Sequence, residues 1–379
     1  MHAHIGPKPF DQAPLLVIWE VTRACALACQ HCRASAEDRR DPTELSLDEG
    51  KRLIDDVAAM GTTLIVFTGG DPLQRADLED LVRHGKSRGL RVGTIPAATS
   101  RLTRERIQSL KDAGVDQMAL SIDGENALKH DSFRRVDGTF AKVMEAARWI
   151  REAKIPLQAN TVFGAWNVDD FDAMAALVTE MGIVFWEVFF LVPTGRGSVL
   201  DGCTPRQFEY LFEKLYELSK TAPFVIKVTE GQHFRRWLAQ RGVMPKAGPP
   251  QGLRIMMSSK PVNSGHGFCF VDHTGNVCPS GFLPIACGNV KETSIIDVYR
   301  NHQVFRDLRD FTKLEGKCGA CDYRDHCGGG SRARGYAMTG NYLAPEPFCA
   351  YMPSSWDGVM GEGAMRDKGK TRRLPLSNW

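Results

Sequence analysis

Between residue 15 and about residue 192, short apolar and β-branched runs alternate with longer stretches whose apolar positions recur at helical spacing, roughly every thirty residues. The short runs predict strands at LLVIWEV (15–21), TLIVF (63–67), RVGTI (91–95), QMALSI (117–122), PLQANTV (156–162) and VFWEVFFL (184–191). The first long stretch carries its own punctuation. Ser46 and Glu49 form a capping box, Leu53, Ile54, Val57 and Met60 share one helical face, and Gly61 stops the helix. Gly89 and Gly114 close two later helices, while Thr204, Pro205 and Gln207 open another as cap, first-turn proline and box partner. Strands that are apolar throughout and separated by helices belong to a parallel sheet covered on one or both faces. Six such units, without the repeat of a full eight, predict an α/β fold built as a partial (β/α)6 TIM-like barrel.

After residue 192 the pattern changes. Residues 193–250 read as a linker with two further helices, ending in PKAGPPQG (245–252). Beyond it Gly and Cys become frequent, helical periodicity survives only around 295–311, and turns such as HTGN (273–276) dominate. A loop-rich segment of this kind buries little apolar surface and needs staples, for which its cysteines point to metal. The expected division is an N-terminal extension (1–13), a barrel (14–200), a helical linker (201–250), a small cysteine-ligated domain (251–352) and a tail (353–379) that is basic over 361–373.

Composition narrows the class. The chain has 379 residues, 43% hydrophobic and 25% charged, which excludes disorder as the main state. A formal charge of +3 carries no footprint for nucleic acid or an anionic membrane. The first residues lack the apolar core of a secretory signal, and the longest apolar stretch, 183–192, is broken by Glu187 and too short to span a bilayer. The expected location is cytoplasmic. Of eleven cysteines, three fall between residues 25 and 32, one stands at Cys203 and seven lie beyond residue 268. An odd, clustered count fits metal or cluster ligation in a reducing compartment better than disulfide pairing.

The first predicted strand runs into Cys25-x3-Cys29-x2-Cys32, a loop at the end of a barrel strand where this fold class places its chemistry. Closed zinc sites and closed cubanes use four protein ligands, so three thiolates leave one metal position for a substrate, unless a distant residue completes a zinc site. With His31 before the last cysteine, the loop resembles that of the radical S-adenosylmethionine (SAM) superfamily. The resemblance implies a [4Fe-4S] cluster whose unique iron binds the amino and carboxylate groups of SAM. It also implies electron transfer that splits a C–S bond and yields a 5'-deoxyadenosyl radical. Thr68-Gly69-Gly70-Asp71-Pro72 resembles the family's Gly-Gly-Glu type loop, whose backbone receives the methionine amine; Asp71 stands where the family has Glu. By the same resemblance Ser121, Asp123 and Asn160 surround the SAM ribose or carboxylate. LVPTG (191–195), beginning at Leu191, resembles the adenine-contacting segment. Each of these residues alone also has an ordinary reading as a turn or strand-exit residue.

A second pattern is Cys318-x2-Cys321-x5-Cys327 with Cys349 further on, four thiolates that suit a zinc ribbon and an iron–sulfur cluster equally well. The region resembles the SPASM extension of radical SAM enzymes, closest in pattern to the haem-pathway subgroup that includes the coproheme decarboxylase and haem d1 enzymes. That resemblance implies one auxiliary [4Fe-4S] cluster with no open iron, which accepts or relays an electron. Serines at Ser280 and Ser331 replace cysteines often found in the resembled pattern. Cys269, Cys278 and Cys287 are the candidates for a second auxiliary Fe–S cluster, with small buried residues as the alternative. Cys203 reads as a core residue.

Two enzyme readings follow. One is oxidative side-chain modification of a tetrapyrrole, with Arg332, Arg334, Arg254 and His266 as candidates to receive substrate carboxylates, against the ordinary reading as solvent-facing or structural ion-pair residues. The other is maturation of a ribosomally made peptide, weakened by the short stretch before the first strand, which leaves no room for a leader-binding domain. A non-catalytic cluster or zinc scaffold is the reading from outside enzymology. A reducing partner such as flavodoxin or ferredoxin is expected. Asp131, Glu230, His233 and Tyr299 are candidate proton acceptors, none favoured by its pattern.

Overall fold

A computed structural model of the chain describes residues 8–244, 252–356 and 358. Most of PKAGPPQG, the start of the N-terminal extension and the basic stretch 361–373 lie outside the described residues. The first half alternates strands β1 (Leu16–Glu20), β2 (Leu64–Thr68), β3 (Arg91–Thr94), β4 (Gln117–Ser121), β5 (Leu157–Phe163) and β6 (Phe185–Phe190) with helices α1 (Leu47–Met60), α2 (Leu78–Ser87), α3 (Arg104–Ala113), α4 (Ala127–Arg134), α5 (Thr139–Glu152) and α6 (Phe171–Glu180). Neighbouring strands pair in parallel in sequence order. The local signals act as expected: Ser46 and Glu49 close a reciprocal capping box on α1, and Gly61 ends that helix in the left-handed conformation.

Four strands extend this frame beyond the six predicted. After α7 (Pro205–Ser219), opened by its Thr204–Gln207 box, β7 (Val225–Thr229) pairs with β6 inside the segment expected to be a purely helical linker, followed by α8 (Phe234–Gln240). In the C-terminal region β8 (Asn263–Ser264), β9 (Gly267–Val271) and β10 (Val277–Cys278) form a small ladder, and β9 lies parallel to β1. The sheet order is β10-β9-β1-β2-β3-β4-β5-β6-β7, with β8 beside β9. Its ends do not pair among the described residues, so the barrel stays open. The run GFCFV thus covers an edge that β1 would otherwise expose.

The C-terminal region is therefore not a separate unit in the sheet. Val17, Trp19 and Phe67 of the barrel share one apolar core with Cys269, Val271, Ile295, Tyr299 and Phe305. Helices α9 (Ile295–Asn301) and α10 (Gln303–Arg309) occupy the predicted periodic stretch. Short helices α11 (Gly316–Gly319) and α12 (Arg324–Cys327) and the longer α13 (Arg332–Thr339) follow, contrary to the expectation that helix ends near residue 311. The first turn of α13 buries Arg332 and Arg334, polar residues that leave no apolar periodicity to read. Among the described residues no helix is long and apolar enough to cross a membrane.

Candidate active site

The three-cysteine loop leaves the C-terminal end of β1 and is pinned from three sides. At the strand end, Glu20 pairs with Arg33 of the loop and accepts from His273 Nδ1 at 3.0 Å. Burial opposes ionisation of Glu20, but Arg33 and His273 hold its pKa below the usual carboxylate value. From β2, the N–H groups of Gly70 and Asp71 donate to the carbonyls of Thr22 and Ala24, both at 2.8 Å. A Cβ on Gly70 would sit 2.5 Å from the carbonyl oxygens of Arg23 and Ala24, so only glycine allows this approach. From β6, Gly195 has φ +55°, and a Cβ there would collide with the carbonyls of Cys32 and Arg33. The next residue, Arg196, donates from Nε to Cys29 O at 3.0 Å and from Nη1 to Ala36 O at 3.1 Å.

Each sulfur of the loop has an N–H donor: Leu27 N to Cys25 and Ala36 N to Cys32 at 3.4 Å, and Arg134 Nη1 to Cys29 at 3.5 Å. Burial pushes the Cys25 thiol up to about 12, so deprotonation there calls for a cationic ligand. The sulfurs face a cavity of about 650 Å³, within the range of roughly 300–1,000 Å³ typical of small-molecule sites. Its lining joins Cys25, Cys29, Cys32 and His31 to Gly69, Gly70, Ser121, Asp123, Asn160 and Leu191. Asp71 is the exception among the expected cofactor contacts. Its fully buried carboxylate accepts from Thr99 Oγ1 at 2.8 Å, Leu73 N at 3.1 Å and Ala97 N at 3.3 Å, which ties the Gly-Gly loop to the strand-exit loop after β3.

The polar wall was only partly expected. Asp123 pairs with Arg134 and accepts from Val162 N at 2.8 Å; burial raises its pKa, but Arg134 outweighs it and holds Asp123 ionised. His31 stacks on Phe133 with ring centroids 4.7 Å apart, and burial pushes its pKa down to about 4. Among the described residues its Nδ1 has no hydrogen-bond partner, and neither has the buried Nη2 of Arg196. Arg33, Lys227 and Arg235 also line the cavity. None of these cations was singled out in the sequence, although Arg196 directly follows LVPTG and Arg33 directly follows Cys32.

The cations expected to meet substrate lie elsewhere. Arg334 forms a buried ion pair with Glu346 at 2.7 Å and donates to Glu230 O at 2.6 Å, while Arg332 donates to Ala344 O at 2.6 Å. Arg254 is exposed and outside the cavity, and His266 donates from Nδ1 to Pro261 O at 2.5 Å. Both buried arginines act as cross-links because their guanidinium groups satisfy carbonyls of irregular backbone. Among the candidate proton acceptors, Asp131 caps the start of α5 through Gly138 N, Thr139 Oγ1 and Phe140 N, and the Tyr299 hydroxyl donates to Phe10 O. Glu230 alone of these lines the cavity, where it accepts from Ser331 Oγ.

Cys318, Cys321, Cys327 and Cys349 ring a second, smaller cavity together with His233, Arg236 and Arg324. Here too the sulfurs have donors: Glu346 N to Cys318 at 3.3 Å, Tyr323 N to Cys321 at 3.4 Å, the backbone at Gly329 and Gly330 to Cys327, and Arg236 to Cys349. Burial pushes Cys318 up to about 12 and Cys321 and Cys327 up to about 11. Among the described residues, no three His, Cys, Asp or Glu side chains converge as ligands of a single ion would. The ring of thiols around a cavity suits a multi-iron cluster better than one zinc. The two serines have structural duties instead: Ser331 caps α13 by accepting from Arg334 N at 3.0 Å, and Ser280 Oγ accepts from Phe282 N at 3.0 Å. Cys269, Cys278 and Cys287 are buried thiols that line neither cavity, and Cys203 is a core residue.

Comparison with known proteins decides the family. Residues 19–178 match the Radical SAM superfamily. The chain is 38% identical over 348 residues to an AdoMet-dependent heme synthase of Methanosarcina barkeri, covering 90% of this chain and 97% of that one. The chain belongs to the radical SAM superfamily. A second AdoMet-dependent heme synthase, from Oleidesulfovibrio alaskensis, is 39% identical over 365 residues and 93% of both chains. The fold of this radical SAM enzyme is shared with Streptococcus suis SuiB bound to S-adenosylmethionine, at a TM-score of 0.68 and 16% identity over 90% of this chain and 78% of that one. Membership implies a [4Fe-4S] cluster and SAM as cofactors.

Proposed function

We propose that this radical SAM enzyme oxidises side chains of a haem precursor, converting a propionate to a vinyl group. The observation that supports this most is one cavity that holds the three-cysteine loop, the Gly69–Gly70 backbone and several cationic side chains together. Cys25, Cys29 and Cys32 are suited to hold the cluster, because each sulfur already has a donor and no fourth cysteine lines that cavity. Gly69, Gly70, Ser121, Asp123 and Asn160 then contact the amino acid and ribose parts of SAM, with His31 and Leu191 at the adenine. Asp71 acts through the loop and not by contact. When bound, the cluster and SAM supply the hydrogen-abstracting radical.

The remaining steps belong to the chain. Arg196 Nη2, buried and without a partner, offers a charge-assisted hydrogen bond to a carboxylate of SAM or substrate. Arg235, whose nitrogens donate to the carbonyls of His326, Ser258 and Ser259, braces the cavity wall beside it. Hydrogen abstraction followed by loss of carbon dioxide leaves a carbon–carbon double bond and one surplus electron. Cys318, Cys321, Cys327 and Cys349 are suited to hold an auxiliary [4Fe-4S] cluster that supplies the acceptor for it. The apolar part of the lining, including Phe189, Phe268 and Phe270, excludes water and suits a flat macrocycle.

The test is anaerobic incubation of reconstituted protein with SAM, a strong reductant and an iron porphyrin bearing propionates. The expected outcome is 5'-deoxyadenosine together with a porphyrin lighter by carbon dioxide and two hydrogens per converted side chain. Formation of 5'-deoxyadenosine with unchanged porphyrin, and no Soret shift on mixing, would remove the tetrapyrrole reading.

A further inference from the structure

His233, just before α8, is 1% exposed and stands between Phe208 and Phe212, with ring centroids at 4.7 and 4.9 Å. Among the described residues neither ring nitrogen has a hydrogen-bond partner. Leaving a polar group buried and unsatisfied is unfavourable, so a fully buried imidazole with two orphaned nitrogens marks a missing partner. Its place in the fold says which one, because His233 lines the cavity ringed by the four C-terminal cysteines. A second orphan lies on the same wall: among the described residues the buried Nε of Arg236 also lacks a hydrogen-bond partner, and Arg236 lines that cavity.

We propose that His233 donates a hydrogen bond to a sulfur of the auxiliary cluster and thereby raises its reduction potential, making the cluster a better acceptor of the electron released from substrate. The inference rests on the auxiliary-cluster reading above. Its physical basis is charge. Reduction adds an electron to a cluster already surrounded by four thiolates, and an N–H pointed at a sulfur favours the more negative state. An imidazole carries at least one ring N–H in either protonation state, so His233 brings a donor to the site. The backbone donors at Cys318 and Cys321 are already engaged by cysteine sulfurs, whereas both ring nitrogens of His233 are without a hydrogen-bond partner among the described residues. His233 is a positioning and tuning residue here, since it does not line the substrate cavity.

The test uses the full chain with both clusters reconstituted, about eight irons per protein, and follows reduction by EPR. The auxiliary signal is the one that does not change when SAM is added. His233→Phe should lower the midpoint of that signal by about 59 mV, a tenfold change in a one-electron equilibrium, and His233→Gln, whose amide can still donate, should recover most of it. An unchanged midpoint in His233→Phe with full iron content would overturn the proposal. Should His233→Phe fail to assemble, the wild-type fold answers instead. A His326→Gln chain with ¹⁵N-labelled histidine should show ¹⁵N and exchangeable-proton couplings to the reduced auxiliary cluster by pulsed EPR, and their absence overturns the proposal. If wild-type protein holds about four irons and every signal shifts with SAM, the auxiliary-cluster reading fails, and this inference with it.

Discussion

The two cysteine sites of this chain are built from the same donor chemistry and differ in what surrounds it. At Cys25, Cys29 and Cys32 the sulfurs face a cavity of about 650 Å³ and the loop is held by main-chain contacts from β2 and β6. At Cys318, Cys321, Cys327 and Cys349 four sulfurs close on a small cavity among short helices, backed by a buried Arg334–Glu346 pair and by His233. Three ligands beside empty volume leave a coordination position for a substrate, and four in a closed ring leave none. On the function proposed above, the local fold separates radical generation at the first site from electron handling at the second, although both use cysteine.

The largest expected effects come from removing one sulfur at each site. Cys25→Ala should lose about four irons and all 5'-deoxyadenosine formation. Cys327→Ala should also lose about four irons but still cleave SAM without converting substrate, as read by iron analysis and product chromatography. Arg334→Met is next: it leaves Glu346 charged and buried, a change that costs about 3–5 kcal/mol. Denaturation of the reconstituted protein should show it, while iron at the Cys25 site is retained. Gly70→Ala should spare the auxiliary site and weaken SAM binding at least tenfold, about 1.4 kcal/mol, because its Cβ displaces the loop from Arg23 and Ala24.

The smallest effect concerns the tie between the two halves. Burial lowers the pKa of His273, but its hydrogen bond and charge contact with Glu20 at the end of β1 outweigh this, and Asp272 adds to them, so the folded value is raised above 6.5. A raised folded value means that this stabilisation is fully present below about pH 6.5 and is lost as pH rises through the folded pKa. The denaturation midpoint should fall across that interval in wild type, and the step should be absent in His273→Gln.

What was legible in the sequence follows from how local each signal is. The six strands and the Ser46 and Thr204 capping boxes depend on residues a few positions apart, and all appear in the structure as expected. The return of β9 to β1 depends on positions some 250 residues apart and left only a five-residue apolar run, GFCFV, to be read. Likewise β7 was hidden in a segment whose flanking helices carry the stronger periodicity. The sequence left Arg332 and Arg334 open between substrate and structural ion pairs, and burial decides it: their guanidinium groups turn toward carbonyls and Glu346. The cations that do face the cavity, such as Arg134 and Arg196, are placed there by a short helix and a strand-exit loop.

The division between an open and a closed site is tested most directly in a chain carrying Cys25→Ala, Cys29→Ala and Cys32→Ala, reconstituted and reduced beside wild type, with SAM added to both. In wild type one of two EPR signals should change on SAM addition. The triple variant should retain about four irons and the single signal that SAM leaves untouched. A signal in the triple variant that shifts with SAM, or a triple variant that binds no iron, would contradict the division.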